Sequence, residues 1–301
     1  MTMLGAAKRF GEALPLLARV DRVARWAHRR RTLVLAYHNV VPAGDRLPGD
    51  RSLHLPQGAF AAQLDALLAT HDVIPLSALY EEPRGGRPRV AITFDDAYRG
   101  AISLGVAEVE KRGIPATIFV APGLLGATTW WDRLADQRTG AVAPEIRAAA
   151  LTMHMGRAER VMAAFGPGVT SLPSWAGIAT SDEVREAAAK PGITLGAHTW
   201  SHPNLTRLEP ADLAEELERP LVWLSDLGRR AIPWLAFPYG LTSPAVARAA
   251  AAAGYTGALR IDGGWLPAAS AAHDLRFDLP RLNVPSGLSL AGFRLRAAGL
   301  L

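Results

Sequence analysis

The sequence contains no cysteine, which excludes disulfide bridges and thiolate metal ligands. Any metal ion must therefore be bound by imidazole nitrogens or carboxylate oxygens. No stretch has the continuous apolar length that a transmembrane helix needs. The first residues also lack the order of a secretory signal, in which a charged start precedes an apolar run and a small-residue cleavage site. We therefore expect a non-secreted protein, most simply a cytoplasmic one.

The excess of positive charge is small and lies near the start of the chain. The 301 residues include 33 Lys and Arg against 28 Asp and Glu, a formal charge of +5. Eight basic residues lie between Lys8 and Arg31, where apolar residues also recur at helical spacing. This pattern predicts a basic amphipathic helix over residues 1–30, with either a solvated face or a face on an acidic membrane surface. No basic patch interleaved with aromatic residues occurs elsewhere, so we expect no nucleic-acid partner.

The remaining chain alternates short apolar runs with helical patterns. Six runs indicate buried strands, at residues 32–37, 90–94, 116–120, 193–197, 234–237 and 256–260. Helical spacing occurs at about residues 57–70, 98–112, 181–190, 209–227 and 243–253. Thr180 and Glu183 predict a capping box. This alternation favours a parallel sheet and a (β/α) barrel, in which chemistry gathers at the carboxyl ends of the strands. Residues 122–180 break the rhythm and are predicted to be an insertion on the barrel.

Two carboxylates directly follow the second predicted strand. Asp95 and Asp96 are adjacent at a strand end, where neighbouring side chains can point in different directions. One carboxylate could then bind a metal ion while the other acts as a base, and a nearby cation would offset their mutual repulsion. Because Asp is also common as a helix N-cap after a strand, the pair alone does not identify a site.

Two histidines follow the fourth predicted strand. His198 and His202 are four residues apart and can face the same way on a helical turn, where they could share one metal ion. Two imidazoles and one carboxylate leave coordination positions for water and substrate, as a hydrolytic metal site requires. The spacing is also compatible with two surface histidines near a loop. Four other histidines fit solvated helix or loop positions: His28, His54, His71 and His273.

Together these segments resemble the first two signature motifs of the polysaccharide deacetylases, the NodB-homology family or carbohydrate esterase family 4. The likeness covers about residues 32–285, and its motifs lie at residues 93–98, 198–205, 237–240 and 280–284. The resemblance implies an α/β fold of the NodB-homology type, a distorted (β/α) barrel of about seven strands. The catalytic domain would then span residues 31–301 and carry the insertion at 122–180.

The resemblance also implies a role for individual residues. Asp95 would be the general base, while Asp96, His198 and His202 would hold a divalent metal ion, usually zinc in this family. The backbone N–H of Tyr239 would help to bind the developing oxyanion. The substrate would be an N-acetylated amino sugar in a polysaccharide or glycan intermediate. Because no export signal is visible, a lipid-linked intermediate fits, and the basic N-terminal helix would hold the enzyme at the inner face of a membrane.

Two positions depart from the family pattern. Leu235 stands where the family commonly has an Arg that pairs with the catalytic base. Arg281 is the candidate replacement, and a structural salt bridge is the equal alternative. No histidine follows residue 285, where many members carry the general acid. The first predicted strand instead ends in Tyr37-His38, which resembles a circularly permuted subgroup. His38 is therefore the predicted general acid, with a capping role at the strand end as the alternative.

The insertion opens with two tryptophans and a carboxylate. Trp130, Trp131 and Asp132 suit stacking on sugar rings and hydrogen bonding to their hydroxyls, or they anchor the insertion on the barrel. Two alternatives to an amino-sugar deacetylase stay open. One is a deacylase acting on an O-acetyl ester or a non-sugar amide, and the other is a non-catalytic glycan-binding relative. Leu235 favours the non-catalytic alternative, whereas the complete set of metal and acid–base candidates argues against it.

Overall fold

The computed structural model describes residues 26–44, 49–83, 85–266 and 268–300. Its centre is a curled parallel sheet. The strands are β1 (Thr32–Tyr37), β2 (Asn39–Val41), β3 (His54–Pro56), β4 (Asp72–Val73), β5 (Arg89–Phe94), β6 (Ala116–Val120), β7 (Ile193–Ala197), β8 (Ala231–Ala236), β9 (Gly257–Leu259) and β10 (Leu282–Asn283). Seven of them lie side by side in the order β10-β1-β5-β6-β7-β8-β9 and form a half-barrel, which confirms the predicted distorted (β/α) barrel of about seven strands.

The central strands are buried along their whole length. Every residue of β1, β5 and β6 is buried, as expected for parallel strands that are covered on both faces. The short strand β4 pairs with the start of β5, and β6 pairs with its end. Strands β2 and β3 form a separate parallel pair. The register is fixed by continuous apolar runs, so the polar residues that follow each run emerge at one edge of the sheet.

Helices surround the sheet and build the insertion. They are α1 (Gln57–Leu68), α2 (Val106–Lys111), α3 (Trp130–Leu134), α4 (Pro144–Thr152), α5 (Ala158–Phe165), α6 (Ser181–Ala188), α7 (Pro210–Ser225), α8 (Pro244–Ala253), α9 (Ala269–Asp274) and α10 (Leu290–Ala297). A π-helical stretch, Ala101–Gly105, leads directly into α2. The predicted capping box is present at the start of α6, where the side chains of Thr180 and Glu183 each bond to the other's backbone N–H.

The strand boundaries differ from the prediction in a few places. Strand β8 begins at Ala231, earlier than the apolar run suggested, and includes Pro233. Proline lacks a donor, but the Pro233 carbonyl still accepts a bond from the Thr256 N–H at 2.8 Å, so the strand continues through it. The strands β2, β3, β4 and β10 were not predicted, because two or three residues are too few to show a period.

The insertion has a small apolar cluster of its own. Trp130, Trp131 and residues of α4 and α5 pack together, and the cluster contacts the barrel through Leu53 and Tyr239. The predicted N-terminal helix over residues 1–30 lies mostly outside the described residues, which begin at Trp26. Within the part of the chain that the structure describes, no helix combines the length and apolar character needed to cross a membrane.

Candidate active site and metal centre

The carboxyl ends of four strands open into one cleft. His38 follows β1, Asp95 follows β5, His198 follows β7 and Tyr239 lies in the turn after β8, and all four line a cleft of about 550 Å³. Parallel neighbours place their carboxyl ends at the same edge of the sheet, so residues that are distant in sequence meet there. The structure thus brings together the strand-end residues that the sequence singled out.

Three of these residues form a cluster that could bind a metal ion. The Asp96 Oδ1 lies 3.2 Å from the His202 Nε2 and 3.5 Å from the His198 Nε2, and the two Nε2 atoms are 3.1 Å apart. All three side chains are buried. Among the described residues this is the one group of three acidic or histidine side chains whose ligand atoms converge in this way.

The backbone that carries these ligands is strained. Asp96, Thr199 and His202 have φ values of +67°, +64° and +61°. Side chains in this left-handed region are uncommon and persist where the surroundings fix them. The His202 N–H donates to the Thr199 Oγ1 at 3.0 Å. From α7, the buried Glu216 carboxylate accepts bonds from the Ser201 N–H at 2.8 Å and from its hydroxyl. The loop over residues 198–202, which carries both histidines, is therefore held by a hydrogen bond within the loop and by hydrogen bonds to Glu216.

The hydrogen bond from the His198 Nδ1 to the Ala236 carbonyl leaves the Nε2 lone pair available to a metal ion. Its Nδ1 lies 2.7 Å from the Ala236 carbonyl, which can only accept, so Nδ1 carries the proton and Nε2 presents a lone pair toward Asp96. The Asp96 Oδ1 is buried and accepts no hydrogen bond from the described residues. A buried acceptor oxygen beside imidazole lone pairs fits a divalent cation, and this donor set is typical of zinc.

The electrostatics of the cluster also favour a cation. Burial raises the pKa of Asp96 well above its usual range, and the charges of Asp95 and Asp132 raise it further. Burial lowers the pKa of both His198 and His202. Neutral imidazoles are the form that binds metals, and a bound cation would offset the cost of ionising Asp96.

Asp95 is held by a fully buried arginine. The Arg281 Nη1 and Nη2 donate to the two carboxylate oxygens of Asp95, each at 2.7 Å. Arg281 also donates to the Thr93 hydroxyl and to the Arg260 carbonyl, both at 3.1 Å. Burial by itself raises the pKa of Asp95, but the charge and hydrogen bonds of Arg281 outweigh it and hold the pKa well below its usual range. Leu235 is instead part of the apolar core.

His38 lies half-buried in the same cleft. Burial lowers its pKa to about 4, while the negative charge of Asp95 opposes that shift. The ring is therefore neutral at neutral pH in this structure. It lies close enough to the metal cluster and to Asp95 for their charges to influence its proton affinity.

Tyr239 forms one wall of the cleft. The turn Pro238–Gly240 gives Tyr239 a φ of +59°, so its backbone is bent sharply after β8. The ring centroid lies 4.5 Å from that of His202, and the hydroxyl accepts a bond from the Trp130 Nε1 at 3.1 Å. The turn is thus fixed from the insertion side, beside a candidate metal ligand.

Two of the three residues predicted to contact a sugar do not reach the cleft surface. Trp130 is 1% exposed and Asp132 is 0% exposed, because both are packed where the insertion meets the barrel. The Asp132 oxygens already accept bonds from four donors: the Asp50 N–H, His54 Nε2, Tyr98 hydroxyl and Thr129 hydroxyl. The expectation of direct sugar contact is therefore revised for Trp130 and Asp132. Trp131 does line the cleft, beside His202.

His54 is a buried partner of Asp132, which the sequence pattern did not indicate. We expected a solvated position, but His54 is fully buried on β3 and lies 3.0 Å from the Asp132 Oδ1. His71 is also buried. A strand of three residues gives no periodic signal, so the burial of His54 could not be read from the sequence alone.

An ion pair at the cleft was missed as well. Arg147 on α4 donates to the buried carboxylate of Asp50, which precedes β3. Both residues line the cleft, so this pair ties the insertion to the barrel at its mouth.

The sequence and the fold were also compared with known proteins. A family model described as "Polysaccharide deacetylase" matches residues 82–258. The Streptococcus pyogenes deacetylase PplD in complex with acetate superposes with a TM-score of 0.61 at 17% identity, over 89% of this chain and 98% of that one. IcaB from Ammonifex degensii gives 0.61 at 18% identity, over 89% and 97%. A de-N-acetylase from Aggregatibacter actinomycetemcomitans gives 0.58 at 15% identity, over 88% and 98%.

At these identities the structural likeness shows the fold alone. The sequence matches none of the curated proteins.

Replacing Arg281 tests how strongly the site depends on its ion pair. Arg281→Met leaves the Asp95 carboxylate buried without a counter-charge, so we expect the free energy of unfolding to fall by about 3–5 kcal/mol. Urea unfolding measures this loss. Lys190→Met is the control, because the Lys190–Glu110 pair is 49% and 41% exposed, and its loss should cost less than about 1 kcal/mol. Equal losses in the two variants would contradict a special role for the buried pair.

Proposed function

Because the chain belongs to the polysaccharide deacetylase family, we propose that it is a metal-dependent hydrolase of N-acetylated amino sugars. The substrate would be a polysaccharide or a glycan intermediate, and the products would be an amine and acetate. The observation that carries this proposal is the convergence of Asp96, His198 and His202 beside the Asp95–Arg281 pair in one cleft. Membership of this family supports an amide as the bond that is cleaved.

The metal would be held by Asp96, His198 and His202, with zinc as the first candidate. Two imidazoles and one carboxylate are a ligand set that zinc hydrolases use, and they leave room for water and substrate. When bound, a divalent ion supplies Lewis acidity, which polarises the acyl carbonyl and lowers the pKa of water.

Asp95 would be the general base. Its pKa lies well below its usual range, so the carboxylate is ionised and able to accept a proton at neutral pH. Each carboxylate oxygen has two lone pairs, and Arg281 uses one on each oxygen. A lone pair therefore stays available to take the proton of the water that attacks the acyl carbon. Arg281 would fix the direction in which that lone pair points.

His38 would supply the proton that the leaving amine needs. Its ring is neutral in this structure, since its pKa is lowered to about 4. To act as an acid it must gain a proton in the substrate complex. Negative charge that develops on the acyl oxygen would raise the pKa of His38 and so favour this protonation. The Tyr239 N–H would donate a hydrogen bond to the same acyl oxygen. The part of the Trp131 ring that lines the cleft would contact the sugar ring.

We also propose that the basic segment over residues 1–30 holds the catalytic domain, residues 31–301, at the inner face of a membrane. The seven Lys and Arg residues between positions 8 and 30 support this contact. A lipid-linked glycan intermediate would then lie within reach of the cleft.

Replacing the two neighbouring aspartates one at a time separates the effect on catalysis from the effect on metal binding. Asp95→Asn should lower kcat for an N-acetylated oligosaccharide by about 10²–10⁴-fold, since it removes the base, while the protein still binds one equivalent of zinc. Asp96→Asn should instead lose zinc. Acetate release and metal content by elemental analysis give the two readouts. Full activity of Asp95→Asn, or zinc-independent activity of the wild-type protein, would contradict the proposal.

Removing the imidazole of His38 tests the general acid. His38→Gln should lower kcat on an N-acetyl substrate by about 10²-fold or more. An O-acetyl substrate should be affected much less, because an alcohol leaves more easily than an unprotonated amine. Rates on the two substrates, measured side by side, check this. A similar loss on both would indicate that His38 only supports the strand end.

Deleting residues 1–30 tests the membrane contact. Each Lys or Arg near an anionic surface contributes about 1 kcal/mol to binding, so the truncated chain should lose most of its binding to phosphatidylserine vesicles. Its activity on a soluble oligosaccharide should stay the same. Sedimentation with vesicles measures the first quantity, and unchanged vesicle binding would remove this part of the proposal.

A further inference from the structure

A buried carboxylate next to the cleft connects two of the candidate metal ligands. Asp132 on α3 is fully buried and accepts a bond from the Tyr98 hydroxyl at 2.6 Å. That hydroxyl also accepts the Trp131 Nε1–H at 2.7 Å. One carboxylate therefore fixes the position of a tyrosine from the barrel and, through it, of a tryptophan from the insertion.

Each of the two aromatic residues lies close to a different candidate metal ligand, Tyr98 close to Asp96 in the chain and Trp131 against the ring of His202. Tyr98 follows Asp96 by two residues, across a turn in which Asp96 and Ala97 both have positive φ. The Trp131 ring packs against the His202 ring with centroids 4.9 Å apart. Asp96 and His202 come from distant parts of the chain, and the bonds to Asp132 hold the neighbours of both.

The charge of Asp132 has no basic partner among the described side chains. Its one ionisable neighbour in salt-bridge range is His54, at 3.0 Å. The Asn39 Nδ2 donates to the Trp175 carbonyl at 3.0 Å, which fixes the orientation of that amide. The same Nδ2 lies 3.1 Å from the His54 Nδ1, which must therefore accept. His54 thus carries a proton on Nε2 and donates a hydrogen bond to Asp132.

The carboxylates around the cluster differ in how their charge is offset. Asp95 is neutralised by Arg281, and Asp50 by Arg147. Within the described structure, Asp96 and Asp132 have no Lys or Arg partner in salt-bridge range. When a divalent ion binds and Asp96 ionises, the charges of Asp96 and of the nearby Asp132 would together offset the two positive charges of the ion.

From these contacts we infer that Asp132 is a positioning residue of the metal centre. It holds the Asp96 turn through Tyr98 and the His202 ring through Trp131, and its negative charge strengthens binding of the divalent ion. The inference rests on the proposed function, because it assumes that Asp96, His198 and His202 bind that ion. Groups behind the direct ligands commonly change metal affinity by about 10–100-fold.

Asp132→Asn removes the charge and keeps the size and shape of the side chain. The remaining oxygen can accept from the Asp50 N–H and from His54, as Oδ1 does now. The new amide N–H groups would donate to the hydroxyls of Tyr98 and Thr129, which now donate to Oδ2 and would have to turn their own protons away. We expect zinc affinity, measured by competition with a chelator, to fall about 10–100-fold. The absorption spectrum of the cobalt-substituted protein should shift, and thermal unfolding of the metal-free protein checks that the variant folds.

His54→Gln is the matched control. Glutamine keeps an N–H donor near Asp132 and leaves its charge intact, so zinc affinity should stay within roughly threefold, the effect of one altered neutral hydrogen bond. Wild-type zinc affinity in Asp132→Asn would overturn the inference, and so would an equal loss in the two variants. If the wild-type protein bound no zinc, the proposed function would fail and the inference with it. If the wild type bound zinc and Asp132→Asn bound it equally well, the inference alone would fail.

A second variant keeps the inference testable if Asp132→Asn does not fold. Tyr98→Phe keeps the Asp132 charge and removes only the hydroxyl between Asp132 and Trp131. It should weaken zinc binding several-fold and change the cobalt spectrum. Zinc affinity and a cobalt spectrum identical to those of the wild type would overturn the positioning role.

Discussion

The buried ion pair between Asp95 and Arg281 is the interaction on which the site depends. Asp95 follows β5, Arg281 precedes β10, and β1 lies between these two strands in the sheet. The pair therefore spans β1 and joins the chain across the edge where the functional residues emerge. Because it neutralises Asp95, the adjacent Asp96 can turn away, through its left-handed backbone, toward the two histidines without two free carboxylates lying side by side.

Much of this arrangement could be predicted from the sequence because it lies at strand ends. Buried parallel strands give continuous apolar runs, and the first polar residues after them, such as Asp95 and His198, must emerge at one edge. Leu235 also pointed to Arg281, since an apolar residue where the family has Arg requires another partner for Asp95. The contact between Arg281 and Asp95 is present in the structure, while the roles of these two residues in catalysis stay predictions.

Other features could not be predicted, because they depend on contacts between distant segments. Asp132 and His54 are polar residues in short or irregular elements, where single-sequence patterns indicate solvent exposure. Their burial depends on Asn39, Tyr98 and Thr129, which satisfy their hydrogen bonds from other parts of the fold. The sequence likewise left open whether Trp130 and Trp131 contact the sugar or anchor the insertion, because this depends on how they pack. Trp130 anchors the insertion, whereas Trp131 both anchors it and lines the cleft.

The proposed function requires one divalent ion between Asp96, His198 and His202. Crystals of the protein grown with zinc, with diffraction data collected on both sides of the zinc absorption edge, would locate this ion. We expect a single strong anomalous peak bounded by the Asp96 carboxylate and the Nε2 atoms of both histidines, with Asp95 still paired to Arg281. A cleft without a peak, or zinc bound by other side chains, would contradict it.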